Sequence, residues 1–337
     1  MSSVFFGESE KIPGGTGTGK EELLKTRSVF LKRLNREKYL QIMALLGVAW
    51  MLVFNYAPMY GLIIAFKQNF RVIDSFFSLD FLRSPWASHG GFGHFVAFVQ
   101  DPEFLNIITN TLGISLLRLF IIFPMPIIFA LFLNELRSVR FKRMVQTISY
   151  LPHFISWVVL GGILTTWLSE AGFVNQMLIR MGVLDRGIEY LAFPQYFWGI
   201  VTISNIWKEL GWSAIIYIAA ISSIDQEMYE AAELDGVGRF RRMWSLTLPC
   251  IKGTITILFI LAIGGLLATN FEQILVLWNP LNAPRSNVLD IYVYHVGIQG
   301  MRFSYAAAIG FFRSVIAFGL LFGANQVIKK LNGSALL

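Results

Sequence analysis

The sequence predicts an all-α, polytopic membrane protein, and three observations support this fold class. Hydrophobic residues make up 55% of the 337 positions and charged residues only 15%, against roughly 25% charged residues in soluble domains. Long apolar segments recur along the chain, and each is close to the ~20 residues that a helix needs to cross a bilayer. Lysine and arginine residues are concentrated in short blocks between these segments, as in multispanning membrane proteins.

Six transmembrane helices are predicted, and few charged residues lie within them. The second contains Arg118, the fourth contains Lys208 and Glu209, the fifth contains Glu272 and the sixth contains Arg313. Prolines at several positions are expected to bend or end helices. The predicted spans are residues 40–66, 107–133, 144–168, 196–221, 254–278 and 305–328.

The basic blocks predict the orientation of these spans. They precede the first span, separate the second from the third and the fourth from the fifth, and follow the sixth; the loops of the opposite side hold fewer basic residues. Because cytoplasmic loops carry the excess of lysine and arginine, both termini are predicted to be cytoplasmic. We divide the chain into a cytoplasmic N-terminal segment, residues 1–38, whose Gly-, Thr- and Ser-rich part is expected to be disordered, and a transmembrane domain, residues 39–337.

Catalytic and metal-binding chemistry is not predicted for this chain. Residues 14–20 resemble a phosphate-binding loop, but Glu21 stands where the magnesium-binding hydroxyl is required and no apolar strand precedes the loop. Any ATP and magnesium are therefore expected to be bound by another polypeptide. One cysteine, Cys250, and scattered histidines give neither a disulfide framework nor metal-ligand spacing. The sequence shows no nucleophile and base at a spacing that would indicate an enzyme.

The connection between the fourth and fifth spans, residues 223–250, contains the most informative motif. Ser223 and Asp225 are placed to start a helix with a capping box, and Gly236 is placed to end it. A second short helix is predicted to follow the glycine, with proline in the first turn of the next span. The motif residues are Glu230, Ala231, Ala232, Gly236, Leu248 and Pro249.

This spacing resembles the EAA loop of binding-protein-dependent ABC importer permeases, E-A-A-x3-G-x9-I-x-L-P, with Leu246 in place of isoleucine. The segments Leu133-Asn134-Glu135 and Tyr150-Leu151-Pro152 are similar to those of carbohydrate-uptake permeases of the maltose and complex-oligosaccharide types. The resemblance implies a type I ABC importer permease fold in the bacterial cytoplasmic membrane. It also implies that the loop is a coupling helix that docks in a groove of a cytoplasmic ATPase.

The implied partners are a second permease subunit forming a heterodimer, two ATP-binding subunits, an extracytoplasmic solute-binding protein and membrane lipids, with no nucleic acid. Expected docking contacts involve Glu230 at the ATPase groove, with the alanines allowing close approach. The implied function is import of an oligosaccharide through a pathway that this chain helps to form.

Polar and aromatic residues within the spans are the candidates for the substrate pathway. An ionisable side chain inside a span costs at least ~2.5 kcal/mol on insertion scales, so it usually faces a cavity or a partner. Three cations against two anions among the candidates indicate an acidic sugar such as alginate or another oligouronide. The candidates are Arg118, Asn205, Trp207, Lys208, Glu209, Trp212, Asn270, Glu272, Gln273, Tyr305 and Arg313.

Other interpretations stay open at this point. Trp207 and Trp212 also suit helix packing or an interfacial belt, and Lys208 with Glu209 also suits a structural ion pair. The external segment, residues 67–106, either covers the outer mouth, contacts a solute-binding protein or forms a helix on the surface. A secondary transporter or channel would share the hydropathy without needing the motif, whereas a glycosyl or lipid transferase would need a catalytic constellation.

Overall fold

A computed structural model describes residues 37–68 and 83–332, and these residues are mainly helical. Their β-structure is an isolated antiparallel bridge between Lys67 and Trp86. The predicted N-terminal segment lies outside the described residues, except for Glu37 and Lys38. The helices are α1 (Lys38–Phe66), α2 (Gly93–Val99), α3 (Phe104–Asn134), α4 (Val139–Tyr150), α5 (Trp157–Trp167), α6 (Phe173–Arg180), α7 (Pro194–Ser222), α8 (Gln226–Leu234), α9 (Arg239–Cys250), α10 (Lys252–Gly264), α11 (Phe271–Leu277), α12 (Ala283–Ser286), α13 (Leu289–Val293) and α14 (Phe303–Asn332). A π-helical turn, Tyr294–Gln299, continues α13, and short 3-10 turns occur at His89–Gly91, Leu151–Phe154 and Tyr190–Ala192.

Three helices are long and apolar enough to cross a membrane as single elements. They are α1, α3 and the Phe303–Gln326 part of α14. They match the first, second and sixth predicted spans, because each contains an unbroken apolar run longer than the bilayer requires. The polytopic, all-α prediction is confirmed.

The third predicted span is not one helix. The segment Val139–Phe154 and helix α5 meet at an angle of 98°. Pro152 has no N–H to continue the α4 hydrogen-bond ladder, and the Ser156 side chain accepts a hydrogen bond from the Val159 N–H to start α5. The span predicted over residues 144–168 is thus divided at Pro152, one of the prolines expected to bend or end a helix, while hydropathy did not give the angle.

The fifth predicted span is also divided. Helix α10 ends at Gly264, and residues 271–277 form the separate helix α11. A 67° bend lies just before this span, where α9 meets α10. Asn270 caps α11 by accepting from the Gln273 N–H. A single helix over residues 254–278 was therefore a wrong prediction, and Pro249 lies at the end of α9 rather than in the first turn of a span.

The fourth predicted span is the 29-residue helix α7, which is long enough to cross a bilayer. Its polar positions set it apart from the three more apolar helices. The first, second, fourth and sixth predicted segments thus correspond to α1, α3, α7 and α14, the third to α4 and α5, and the fifth to α10 and α11. With each bent pair counted as one span, up to five spans are recognised by length and composition alone.

Within the described residues from Leu62 onward, helix α7 packs against several other elements. They include the second half of α3, α4 and the 3-10 turn Leu151–Phe154. Near one end, Val201 and Phe197 pack with Ile274 of α11, and near the other Tyr217 and Ile221 pack with other buried residues. The apolar residues of α7 are buried in these contacts. Other residues of the same helix, some of them polar, line a cavity.

The described part of the external segment packs against α14. Phe98 of α2 is buried and contacts Phe312 edge-on, with ring centroids 5.6 Å apart. Asp101 accepts hydrogen bonds from the hydroxyls of Tyr292 and Tyr305. Burial alone would raise the pKa of the Asp101 carboxyl, but these bonds and one from the Glu103 N–H lower it below its ordinary value. The segment is therefore fixed to the start of α14 by both apolar and polar contacts.

Candidate functional site

A cavity of about 870 Å³ lies between α3, α7, α10 and residues 266–270. This volume is within the roughly 300–1,000 Å³ of small-molecule sites. The structure brings five of the predicted pathway residues to its wall: Arg118, Asn205, Glu209, Trp212 and Asn270. They come from three separate parts of the chain, so the cavity is formed only by the tertiary structure.

Arg118 brings a positive charge to this cavity. It begins a π-helical turn, Arg118–Ile122, within α3; such turns occur frequently at functional sites. Its Nη1 donates to the Ala268 carbonyl oxygen at 2.9 Å, and the residue is exposed to the cavity. Among the described residues no carboxylate lies within ion-pair distance of Arg118. Its remaining N–H groups can therefore bind an anion.

Glu209 also lines the cavity, but its charge is compensated by the protein. One carboxylate oxygen lies 3.0 Å from Lys208 Nζ and the other lies 2.7 Å from His153 Nδ1. Lys208 is buried and also donates to the His153 carbonyl oxygen at 2.6 Å. Lys208 and Glu209 are thus an ion pair that ties α7 to the bend after α4.

Trp212 offers an aromatic face near Glu209. One face of its indole is stacked on the His153 ring, with centroids 4.3 Å apart and an interplanar angle of 1°. Phe154 contacts the same indole edge-on. Trp212 remains 43% exposed and lines the cavity, so a ring bound there would meet a Trp face held rigidly from behind.

Sequence reasoning did not select His153 as a pathway residue. The only local signal was its position directly after Pro152, in the Tyr150-Leu151-Pro152 segment. Its contacts with Glu209 and Trp212 depend on the 98° bend; sequence analysis expected Pro152 to bend or end a helix but gave no direction for the helix that follows.

The other predicted pathway residues are not among those that line this cavity. Gln273 is buried and donates to the Val201 carbonyl oxygen, so it joins α11 to α7. Tyr305 bonds to Asp101, while Trp207 and Glu272 are exposed outside the cavity wall. Their assignment to the pathway stays a prediction.

Arg313 is paired with a residue that the predicted charge count left out. Its guanidinium forms an ion pair with Asp290 of α13, and the other carboxylate oxygen of Asp290 accepts from the Thr269 hydroxyl at 3.0 Å. The count of three cations against two anions was incomplete, because Asp290 lies outside the predicted spans. With Lys208 and Arg313 paired, Arg118 is the candidate cation that remains available at the cavity.

The predicted coupling loop forms a helical hairpin, α8 followed by α9. Asp225 caps α8 by accepting from the Glu227 N–H at 3.0 Å. The Ser223 hydroxyl instead donates to the Ala220 carbonyl oxygen, so the predicted capping box was wrong about which side chain caps. Gly236 has φ +70°, a left-handed conformation that favours glycine and ends α8.

Helix α8 carries several exposed side chains. Glu230 and Ala231 are exposed, and Leu234 at the end of the helix is 90% exposed. Tyr229 is partly buried, and its hydroxyl lies 3.0 Å from the hydroxyl of the buried Thr247. The hairpin therefore combines exposed residues on α8 with a side-chain contact that joins α8 to α9.

Comparison with known families identifies this architecture. The model of the family described as "Binding-protein-dependent transport system inner membrane component" matches residues 122–331, which include the cavity residues of α7 and the whole hairpin. The chain belongs to this family. The resemblance to ABC importer permeases is therefore confirmed, and the protein is a membrane-embedded permease component.

Individual relatives agree with the family assignment. The permease is 40% identical to Protein LplB of Bacillus subtilis over 91% of this chain and 93% of the relative. It is 39% identical to the B. subtilis polygalacturonan/rhamnogalacturonan transport system permease protein YteP, over 90% and 92% of the two chains. A bacterial alginate ABC transporter, solved in complex with an alginate pentasaccharide-bound periplasmic protein, has a subunit with a TM-score of 0.80 and 39% identity; the alignment covers 90% of this chain and 99% of that one.

Proposed function

We propose that this permease forms part of the import pathway for an acidic oligosaccharide and couples that pathway to ATP hydrolysis by partner subunits. The observation that carries the proposal is Arg118, a cation exposed to the cavity beside an aromatic face and a rim of amide groups. Two relatives support the substrate class, since one is named for polygalacturonan and rhamnogalacturonan and another transports the acidic polysaccharide alginate.

Each wall residue suits one part of a uronate sugar. The guanidinium of Arg118 can form charge-assisted hydrogen bonds to the carboxylate, while Asn205 and Asn270 can bond to hydroxyls. The open face of Trp212 can stack on the apolar face of the ring. The compensated carboxylate of Glu209 can accept hydrogen bonds from sugar hydroxyls without repelling the substrate as strongly as a free anion would.

The proposed assembly follows from the family and the hairpin. A second permease subunit completes the pathway, two cytoplasmic ATPases bind ATP and magnesium, and an extracytoplasmic binding protein delivers the sugar. This chain would contribute no nucleotide site of its own. We infer that both termini lie in the cytoplasm, so that the exposed residues of α8, including Glu230, would meet the ATPases at the inner surface of the bacterial cytoplasmic membrane.

Arg118→Gln tests the substrate class. Complexes in proteoliposomes would be assayed for ATP hydrolysis with binding protein and either an alginate pentasaccharide, a galacturonate pentasaccharide or a neutral glucose pentasaccharide. A hydrogen bond to a charged group contributes about 1.5–3 kcal/mol. We therefore expect the Arg118→Gln complex to need at least roughly tenfold more acidic sugar than the wild-type complex for half-maximal stimulation of ATP hydrolysis. Arg140→Gln, which removes an exposed charge outside the cavity, is the matched control.

Two results would contradict the proposed substrate. One is stimulation by the neutral sugar but by neither acidic sugar. The other is an unchanged response of Arg118→Gln to the acidic sugar that stimulates the wild-type complex.

Gly236→Glu and Glu230→Lys test the ATPase-coupling surface. The first substitution forces a side chain into the left-handed conformation at φ +70°, and the second reverses the charge of an exposed residue of α8. Coupled ATPase activity should be abolished in both while membrane insertion is unchanged. Gly236→Asn is the matched control for the first, since asparagine tolerates this conformation better. Normal transport by Gly236→Glu and Glu230→Lys would refute docking at α8.

A further inference from the structure

A buried ion pair joins the cytoplasmic end of α3 to the coupling hairpin. Arg242 Nη2 lies 2.8 Å from Glu135 Oε2, although the two residues are 107 positions apart in sequence. The side chains are only 17% and 9% exposed. Glu135 directly follows α3, and Arg242 lies in the first turns of α9, just after the glycine turn of the hairpin.

Arg242 also contacts α8. Its guanidinium carbon lies 5.8 Å from the centroid of the Tyr229 ring, and the Tyr229 hydroxyl bonds to Thr247 further along α9. Phe240 of α9 meets Phe132 of α3 edge-on, with ring centroids 6.4 Å apart. One arginine side chain therefore connects α3 with both helices of the hairpin, beside a second, aromatic contact.

The pair is not optimised for stability. Burying two charges costs desolvation energy that mutual attraction often fails to exceed, so apolar residues frequently stabilise such a position as well or better. In addition, the Nε of Arg242 is buried without a hydrogen-bond partner among the described residues. What an ion pair between two elements does provide is a directional link of fixed geometry.

The link leads directly to the cavity. Arg118 and Glu135 are on the same helical run, and 17 residues at 1.5 Å each place them about 25 Å apart. A movement of α8 and α9 that is transferred to Glu135 would move the helix that carries the cavity cation. For ATP binding at the ATPases to change the cavity, some structural element must respond to both the nucleotide site and the sugar site. A contact between α3 and the hairpin meets this requirement.

We propose that Glu135 and Arg242 are positioning residues that make α3 move together with the coupling hairpin, so that ATPase closure changes the wall of the sugar cavity. This role rests on the proposed function, and it adds a contact within the permease to the ATPase contact made by α8. Neither residue touches sugar or nucleotide in this scheme.

The experiment uses the complete complex with four variants of this chain: Glu135→Gln, Arg242→Gln, the charge swap Glu135→Arg with Arg242→Glu, and Arg241→Gln. Arg241 is the matched control, since it is the exposed neighbour on the same helix. Spin labels would be placed at Leu116 of α3 and Ser245 of α9, both exposed, after Cys250→Ser removes the single natural cysteine. Label distances are measured without nucleotide and after trapping with ATP and vanadate. ATPase activity is measured with and without binding protein and alginate pentasaccharide.

In the wild type and in Arg241→Gln we expect the same narrow label distance in both states. In Glu135→Gln and Arg242→Gln, vanadate trapping should shift or broaden it, and stimulated ATPase activity should fall at least about fivefold, the lower end of typical coupling between sites. Basal ATPase activity should remain, and the charge swap should restore the narrow distance and part of the stimulation. If the ion pair only stabilised the fold, the single substitutions would lower the yield of complex, and basal and stimulated ATPase activity would fall together.

Three results would overturn the proposal. The first is an unchanged distance and unchanged stimulation in both single variants. The second is a swap that assembles but lets the labels move independently. The third is failure of the singles and the swap alike to assemble, which would make the pair purely structural. A wild-type complex that neither hydrolyses ATP nor responds to sugar would instead count against the proposed function.

Discussion

Gly211 determines how closely α4 approaches α7, and this gives the most specific test of the structure. A Cβ at this position would lie 2.7 Å from Ser149 Cβ and closer still to the Ser149 carbonyl group. Ser149 directly precedes the bend that brings His153 onto Trp212 and Glu209. Gly211→Ala therefore perturbs both the packing of two helices and the wall of the cavity.

The magnitude follows from these distances. Non-bonded carbon atoms prefer separations of about 3.5–4.0 Å, so α4 and α7 would have to separate by roughly 1 Å. The obstructing atoms include backbone, which cannot rotate away as a flexible side chain can. We therefore expect Gly211→Ala to lower the free energy of unfolding by ~3 kcal/mol, the upper end of the range for overpacking. At ~2–4 °C per kcal/mol, this is a fall in apparent melting temperature of roughly 6–12 °C.

The assay is the thermal loss of monodisperse complex in detergent, measured at a fixed heating rate because such unfolding is commonly irreversible. Gly199→Ala is the matched control on the same helix, since nothing lies within 4 Å of a Cβ there. It should leave the melting temperature unchanged or raise it slightly, by up to ~1 kcal/mol of stability. Equal melting temperatures for Gly211→Ala and Gly199→Ala would refute the close contact between α4 and α7.

Three further substitutions test other contacts. Asp290→Asn should destabilise the complex by about 2 kcal/mol. This is below the ~3–5 kcal/mol expected for breaking a fully buried ion pair, since Arg313 is 35% exposed. Thermal unfolding measures the effect, and an unchanged melting temperature would contradict the ion pair. Because the folded-state pKa of Asp101 is lowered, its contribution to stability is present above the ordinary pKa of about 4 and is lost as the pH falls further. On acidification from pH 6 to 3, the melting temperature of Asp101→Asn should therefore fall less than that of the wild type. An equal fall in both proteins would contradict the hydrogen bond from Tyr292. Trp212→Leu should weaken sugar stimulation of ATP hydrolysis while leaving basal hydrolysis unchanged, and unaltered stimulation would exclude stacking on this residue.

Much of the fold was predictable because its signals are local. The apolar runs of α1, α3 and α14 exceed the bilayer thickness by themselves, so hydropathy located these helices. The EAA-like loop was also recognisable from spacing, since a helix, a left-handed glycine at Gly236 and a second helix are each determined by neighbouring residues. Family membership followed from the same segment.

The bends and charge pairs were not predictable in this way. Pro152 indicated a bend or a helix end, but a window of hydropathy averages over it and over Gly264, so the 98° angle after α4 and the end of α10 were not predicted. Likewise, the predicted charge count treated Lys208, Glu209 and Arg313 as equally available. Only packing shows that Arg313 meets Asp290 and that Glu209 meets His153.

Contiguous residues were enough to identify a helical membrane permease with a helix–turn–helix hairpin, because apolar length and motif spacing are local properties of the chain. Which charged side chains are paired depends on the tertiary structure. Arg118 is available because every carboxylate in the described part of the chain lies beyond ion-pair distance from it, while Arg242 finds Glu135 across 107 positions. Such pairings depend on how helices pack around α7, and no local pattern encodes them.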